Sequence, residues 1–129
     1  MFQAIESKVR EFGGEVSLAR GARLDRERVE MIVAAASEAR KGEYDDILRE
    51  IDRFRVHVRR EREHREFTFA ELHELEADVN KLQRWADQVK ERDFVGLGEA
   101  KTVANSLNQC EAELSAFMEQ AYQNEKRAL

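Results

Sequence analysis

The sequence predicts an all-α protein: a long antiparallel helical hairpin joined by a third long helix into a bundle, with a short helix-strand segment ahead of it. Three observations carry that expectation. Charged residues make up 38% of the 129-residue chain and hydrophobic residues 42%, the mixture found in long amphipathic helices. Proline is absent and glycine numbers six, so little in the chain interrupts a helix. Apolar residues recur at 3,4 spacing through three extended stretches, which places each set on one helix face in need of a partner.

Residues 1–22 stand apart from this pattern. Phe2, Ile5, Val9 and Phe12 form a helical stripe, Gly13 and Gly14 break it, and "EVSLAR" alternates with Val16 and Leu18 on one face, so a helix is expected and then a strand. A lone strand leaves backbone groups unpaired on both edges, and this one is expected to pair with another chain, to fray, or to be the remnant of an α/β unit. Residues 23–129 form the helical bundle domain. A shorter helix is expected from Asp25, as its cap, to Lys41, with Gly42 ending it and Val29, Ile32, Val33 and Ala36 turned toward the hairpin.

The first long helix is expected from Glu43 to Arg65, with Tyr44, Ile47, Ile51, Phe54 and Val58 on its apolar stripe. The second runs from Phe69 to Arg92, with Leu72, Leu75, Val79, Leu82, Ala86 and Val89. The third runs from Glu99 to Lys126, with Ala100, Val103, Leu107, Cys110, Leu114, Phe117 and Ala121. The connections "HREFT" and "RDFVGLG" are short, which makes consecutive helices antiparallel neighbours, and Gly96 and Gly98 are natural stops.

The first connection has a defined construction. Thr68 and Glu71 spell a capping box, in which each side chain satisfies a backbone N–H at a helix start, and Phe67 with Leu72 completes a hydrophobic staple. Arginines 53, 55, 59, 60, 62 and 65 precede the corner and Glu71, Glu74, Glu76 and Asp78 follow it, matching the polarity of the helix dipoles. Folding the two helices back on each other sets Arg62 opposite Glu71, Arg59 opposite Glu74 and Arg55 opposite Asp78. Three such pairs are expected to fix register more than stability, since exposed ion pairs contribute only about 0 to 1 kcal/mol each.

Composition narrows the function classes. The net charge of −5 argues against a general nucleic-acid binder, which needs a basic excess to displace counterions from phosphates. No apolar run has signal-peptide character or approaches the roughly 18 residues of a membrane span, so the chain is expected to be soluble and cytoplasmic, with no membrane partner. Its single cysteine, Cys110, cannot form an internal disulfide, in keeping with a reducing compartment. Cys110 lies on the third apolar stripe, where a thiol acts as a small hydrophobe, and Trp85 is expected to close one side of the bundle against the shorter helix or the N-terminal segment.

No catalytic constellation stands out, and no enzyme, cofactor or metal site is expected. Glu61 and His64 form E-x-x-H, half of a pair that di-iron bundles need together with further interior carboxylates, and neither the second motif nor those carboxylates are present. His57, His64 and His73 fall beside the apolar stripes, as solvated or salt-bridged histidines do. Zinc held by Cys and His has no support with one cysteine far from any histidine.

The segments "FGGEVSLARG", "ARKGEYDDILREIDRF", "REFTFAELHELEADVNKLQRWADQVKERDFVG" and "CEAELSAFMEQAY" resemble, in this order, the latter part of the N-terminal region of the chromate-resistance proteins called ChrB. The resemblance implies a helical sensing or assembly module of a chromate-responsive regulator, with chromate or another oxyanion as ligand and a homo-oligomer as the expected assembly. Full-length members of that family resemble a winged helix followed by a small α/β unit, this helical region and a separate C-terminal domain. Against that pattern the chain is expected to start after the winged helix and to stop before the C-terminal domain, so direct DNA binding is not expected to carry over, and the orphan strand is expected to close the missing α/β unit. Charge and resemblance together point to Arg55, Arg59, Arg62 and His64 as the oxyanion contacts, although no matched family motif carries them. The competing expectation is a structural self-association domain without a ligand, and a more distant one is an enzyme with a metal held by the His and Glu residues.

Overall fold

The apolar stripes become the inner faces of three helices in a computed structural model, which describes residues 26–128. These helices are α1 (Arg26–Glu63), α2 (Phe69–Arg92) and α3 (Glu99–Ala128), and each packs against the other two. The helix-strand reading of residues 1–22, and Asp25 as a cap, lie outside the described residues. Both ends of α2 fall where the periodicity puts them, and α3 begins at the expected Glu99.

The core is the set of stripe residues themselves. Tyr44, Ile47, Ile51, Phe54 and Val58 of α1 meet Leu72, Leu75, Val79, Leu82 and Val89 of α2 and Val103, Leu107, Cys110 and Phe117 of α3. Burying a Leu, Ile, Val or Phe side chain contributes about 1.5 to 3 kcal/mol relative to exposure, against a few tenths for an ion pair along one exposed helix face. The seam therefore holds the bundle. The charged pairs Arg26–Glu30, Arg49–Asp46 and Arg53–Glu50 decorate the outer surface of α1, while Arg40–Glu43 is half-buried.

Two expectations are corrected. The shorter helix ending at Gly42 does not exist as a separate element, because α1 runs through Gly42 without a break over 38 residues. A glycine inside a helix costs only about 0.5 to 1 kcal/mol, and the apolar phase continues across it: Val29, Val33 and Ala36 lie on the line that Tyr44 and Ile47 extend, while Ile32 is left exposed. Trp85 accordingly does not meet a folded-back short helix. It is half-buried against the core and, with Phe54 and His57, lines a groove between α1 and α2.

The second correction concerns the expected ion pairs across the hairpin. Arg55 turns to α3 instead, where its Nε and Nη2 each stand 2.9 Å from Glu113 Oε1 and its Nη1 donates to Gln109 Oε1 at 3.2 Å. Neither Arg62–Glu71 nor Arg59–Glu74 forms among the described residues. A register drawn for two helices has no place for the third, and the third supplies the acceptors for Arg55.

At the far end of the hairpin, Asp93 organises the turn into α3. Its carboxylate accepts the Tyr44 hydroxyl at 2.9 Å and the backbone N–H groups of Gly96 and Leu97, each at 2.9 Å. Gly96 has φ of 75°, a conformation that side-chain-bearing residues adopt at a cost, so this glycine is the structural stop that the sequence suggests. Arg92 pairs with Glu43 beside it, fastening the start of this turn to α1.

Candidate functional site

The opposite corner, where α1 gives way to α2 and α3 ends, gathers the unusual features. Glu66 N–H donates to Glu61 O at 2.9 Å and Arg65 N–H to Arg62 O at 3.2 Å, which is the double bond pattern of a Schellman motif. The residue after the helix end in that motif adopts a left-handed conformation and is usually glycine. Here it is Arg65, with φ of 55°. Arg65 is the only non-glycine residue with positive φ among the described residues.

Beyond Arg65 the chain enters α2 through Thr68, whose Oγ1 accepts Glu71 N–H at 3.2 Å. That is half of the expected capping box. The reciprocal half is missing, since Thr68 N–H bonds to Glu66 O at 3.1 Å and the Glu71 side chain points elsewhere. Phe67 and Leu72 both join the core as the staple expects, with the Phe67 ring 5.2 Å from that of Phe117 on α3.

An open cleft of about 530 Å³ lies between this corner and the last turns of α3. Arg62, Arg65, Gln120, Gln123, Asn124 and Arg127 line it together with Phe67. Among the described residues, three guanidinium groups and three side-chain amides line the space, no carboxylate does, and none of the three arginines forms an ion pair. Asn124 Nδ2 donates to Phe67 O at 3.2 Å, which holds the end of α3 against the corner. A guanidinium presents several donors in a planar fork that matches oxyanions, so three of them without counter-charges form an anion-attracting surface.

Of the four residues that charge singled out, only Arg62 reaches this cleft. Arg55 is committed to Glu113, whose hydrogen bond and charge raise its pKa further. Arg59 and His64 are exposed and lie outside the cleft lining. Arg65 completes the corner through its backbone conformation, and Arg127 arrives from α3. The signal for Arg65 lay in the sequence as an arginine where a helix stop calls for glycine; Arg127 belongs to a helix that hairpin reasoning did not bring to the corner.

On the hairpin's other side at this corner, His57, Glu61 and Glu71 converge. One potential ligand atom from each lies within 4.8 Å of the others. His57 Nε2 stands 3.8 Å from Glu61 Oε1. Burial pushes the Glu61 carboxyl above the ordinary carboxylate range, a hydrogen bond shared with Glu66 and the charges of Glu71 and Glu66 push the same way, and His57 opposes them. Glu61 is thus paired with His57, one turn before it, and not with the His64 of the E-x-x-H reading.

Cys110 is fully buried between α3 and its neighbours, and burial with the nearby Glu113 pushes its thiol up to about 11. A protonated, enclosed thiol is a poor nucleophile. No helix among the described residues is long and apolar enough to cross a membrane.

No curated protein and no solved structure matches the chain. The family model described as "Protein ChrB, N-terminal" matches residues 1–128. Because that match takes in all three helices and both corners, the chain belongs to the ChrB N-terminal family and is a chromate-resistance-related protein.

Proposed function

We propose that the chain is a non-enzymatic helical sensing module of a ChrB-like chromate-responsive regulator, and that the cleft of Arg62, Arg65 and Arg127 receives a tetrahedral oxyanion such as chromate. The observation that carries this reading is the conformation of Arg65. Left-handed backbone costs a side-chain-bearing residue about 1 to 2 kcal/mol, and glycine would adopt it freely. What arginine adds at that position is a guanidinium in a cleft with two others.

The remaining chemistry supports recognition over reaction. Chromate is an oxidant of thiols, and the chain's single cysteine is buried and protonated. Gln120 and Gln123 offer neutral donors beside the guanidiniums, as suits an anion that must be released again.

Thermal melting in the presence of chromate or sulfate tests the reading. Anion is expected to raise the Tm of the native chain. Arg65→Gly is expected to raise the anion-free Tm, by relieving the left-handed strain, and to abolish most of the anion-dependent rise. An unchanged Tm of the native chain at millimolar chromate, or an equal rise in the Arg65→Gly and Arg127→Gln variants, would remove the oxyanion reading.

A second reading, self-association without a ligand, is favoured by one surface. Met118 and Tyr122 on the outer face of α3 are 38% and 59% exposed. Mass measured by light scattering at increasing concentration tests it, with Met118→Glu expected to shift the chain toward monomer if this face carries the contact.

A further inference from the structure

We propose that His57, Glu61 and Glu71 form a binding site for one divalent first-row transition-metal ion, which clamps the end of α1 to the start of α2. This goes beyond the oxyanion reading and uses none of the residues lining that cleft.

The ligand set comes from two helices. His57 and Glu61 are one turn apart on α1, so their side chains share a face, and Glu71 lies in the first turn of α2 across the corner. Their potential ligand atoms already lie within 4.8 Å of one another. Ligands held about 2.0 to 2.2 Å from one tetrahedral zinc ion stand roughly 3.3 to 3.6 Å apart, so side-chain rotations that draw the three atoms together by about 1 Å bring them into coordination distance.

The independent sign of a missing partner is the state of the carboxylate oxygens. Glu61 Oε2 and Glu71 Oε2 are both shielded from solvent with no donor from the described residues, and the hydrogen bond that the Glu61 carboxyl does share is with another carboxyl, that of Glu66. The Glu61 side chain as a whole is only 14% exposed. Buried polar atoms are nearly always satisfied, and a buried carboxylate oxygen left without a donor is costly. The stretch is rich in arginine, yet Arg59 and Arg62 do not turn toward either oxygen among the described residues. Glu71 even forgoes its half of a capping box to face Glu61. Carboxylates that approach one another while guanidiniums nearby point away are arranged for a cation that the chain itself does not supply.

The donor types narrow the ion. Calcium and magnesium prefer all-oxygen shells, whereas one imidazole nitrogen with two carboxylate oxygens suits zinc, manganese, iron(II), cobalt or nickel. Three protein ligands leave at least one position for water. The site bridges the two strands of the hairpin at the corner that also carries Arg62 and Arg65, so ion binding would stiffen that corner.

Calorimetric titration of the metal-stripped chain with zinc chloride and with manganese chloride tests the proposal, together with thermal melting and the visible spectrum of the cobalt(II) form. One ion per chain is expected, with a rise in Tm. His57→Ala and Glu71→Gln are each expected to weaken binding by about tenfold or more. Glu71→Gln is also expected to raise the metal-free Tm, because it removes one of two facing carboxylates, so loss of binding in that variant cannot be ascribed to misfolding. His73→Ala, which alters an exposed His–Glu pair on α2, is expected to bind as the native chain does. No binding by the native chain at millimolar ion, or binding left unchanged by both His57→Ala and Glu71→Gln, overturns the proposal.

Discussion

Arg65 and Cys110 show how far individual residues announce their roles. Cys110 falls on the third apolar stripe, and burial there follows from periodicity alone, so its inertness was legible. Its thiol keeps its proton to about 11, compared with an ordinary value of 9.0. Reaction of the native chain with a thiol reagent at pH 8 is therefore expected to be slow and to become fast only on addition of denaturant. The sign of the linked stability follows. As the pH rises past 9.0 the unfolded chain releases the thiol proton while the folded chain retains it, so stability is expected to fall between that pH and about 11. Chemical denaturation across that interval, with Cys110→Ala as the comparison, measures it. Thr68 was equally legible, because a cap bond needs only local sequence. Glu71 was not, because its side chain lies with His57 and Glu61 of another helix.

At the scale of elements, apolar phase outranked the helix-breaking reputation of one glycine. A Cβ added at Gly42 would meet nothing within 4 Å, and the backbone there is already helical. Gly42→Ala is expected to stabilise the chain by about 0.5 to 1 kcal/mol, read from the denaturant midpoint at constant slope. A drop in stability would show that this helix needs its glycine for a reason outside its own geometry. The seams of α2 and α3 were legible because every residue on them lies at 3,4 spacing with small or apolar side chains. The cross-hairpin ion pairs were not, and the reason is physical: exposed charged side chains are long and cheap to redirect, so their partners depend on all neighbouring helices. Arg55, drawn off to Glu113, is the clear case.

For the molecule as a whole, the two ends of the bundle are fastened by different means. One end depends on Asp93, which accepts the Tyr44 hydroxyl and two backbone N–H groups and so ties all three helices together. Asp93→Ala is expected to cost about 2 kcal/mol, since each such bond contributes roughly 0.5 to 1.5 kcal/mol net and the Tyr44 hydroxyl would be left without its acceptor. Tyr44→Phe, which removes one bond only, is expected to cost about 1 kcal/mol. Thermal or denaturant unfolding of the two variants separates these outcomes. The other end carries the strained Arg65, the cleft and the His57 cluster.

The unbroken course of α1 has a mechanical consequence. At 1.5 Å per residue its 38 residues make a rod of about 57 Å, against about 36 Å for α2. Glu43 and Tyr44 already lie beside the α2–α3 turn, so the stretch before them runs on past that turn, and it is not bare, since Val29 on it is fully buried. Tilting such a rod by about 5° at the corner displaces its far tip by roughly 5 Å. A hinge at Gly42 would absorb such a tilt, whereas a helix continuous from Arg26 to Glu63 has no break at which to absorb it.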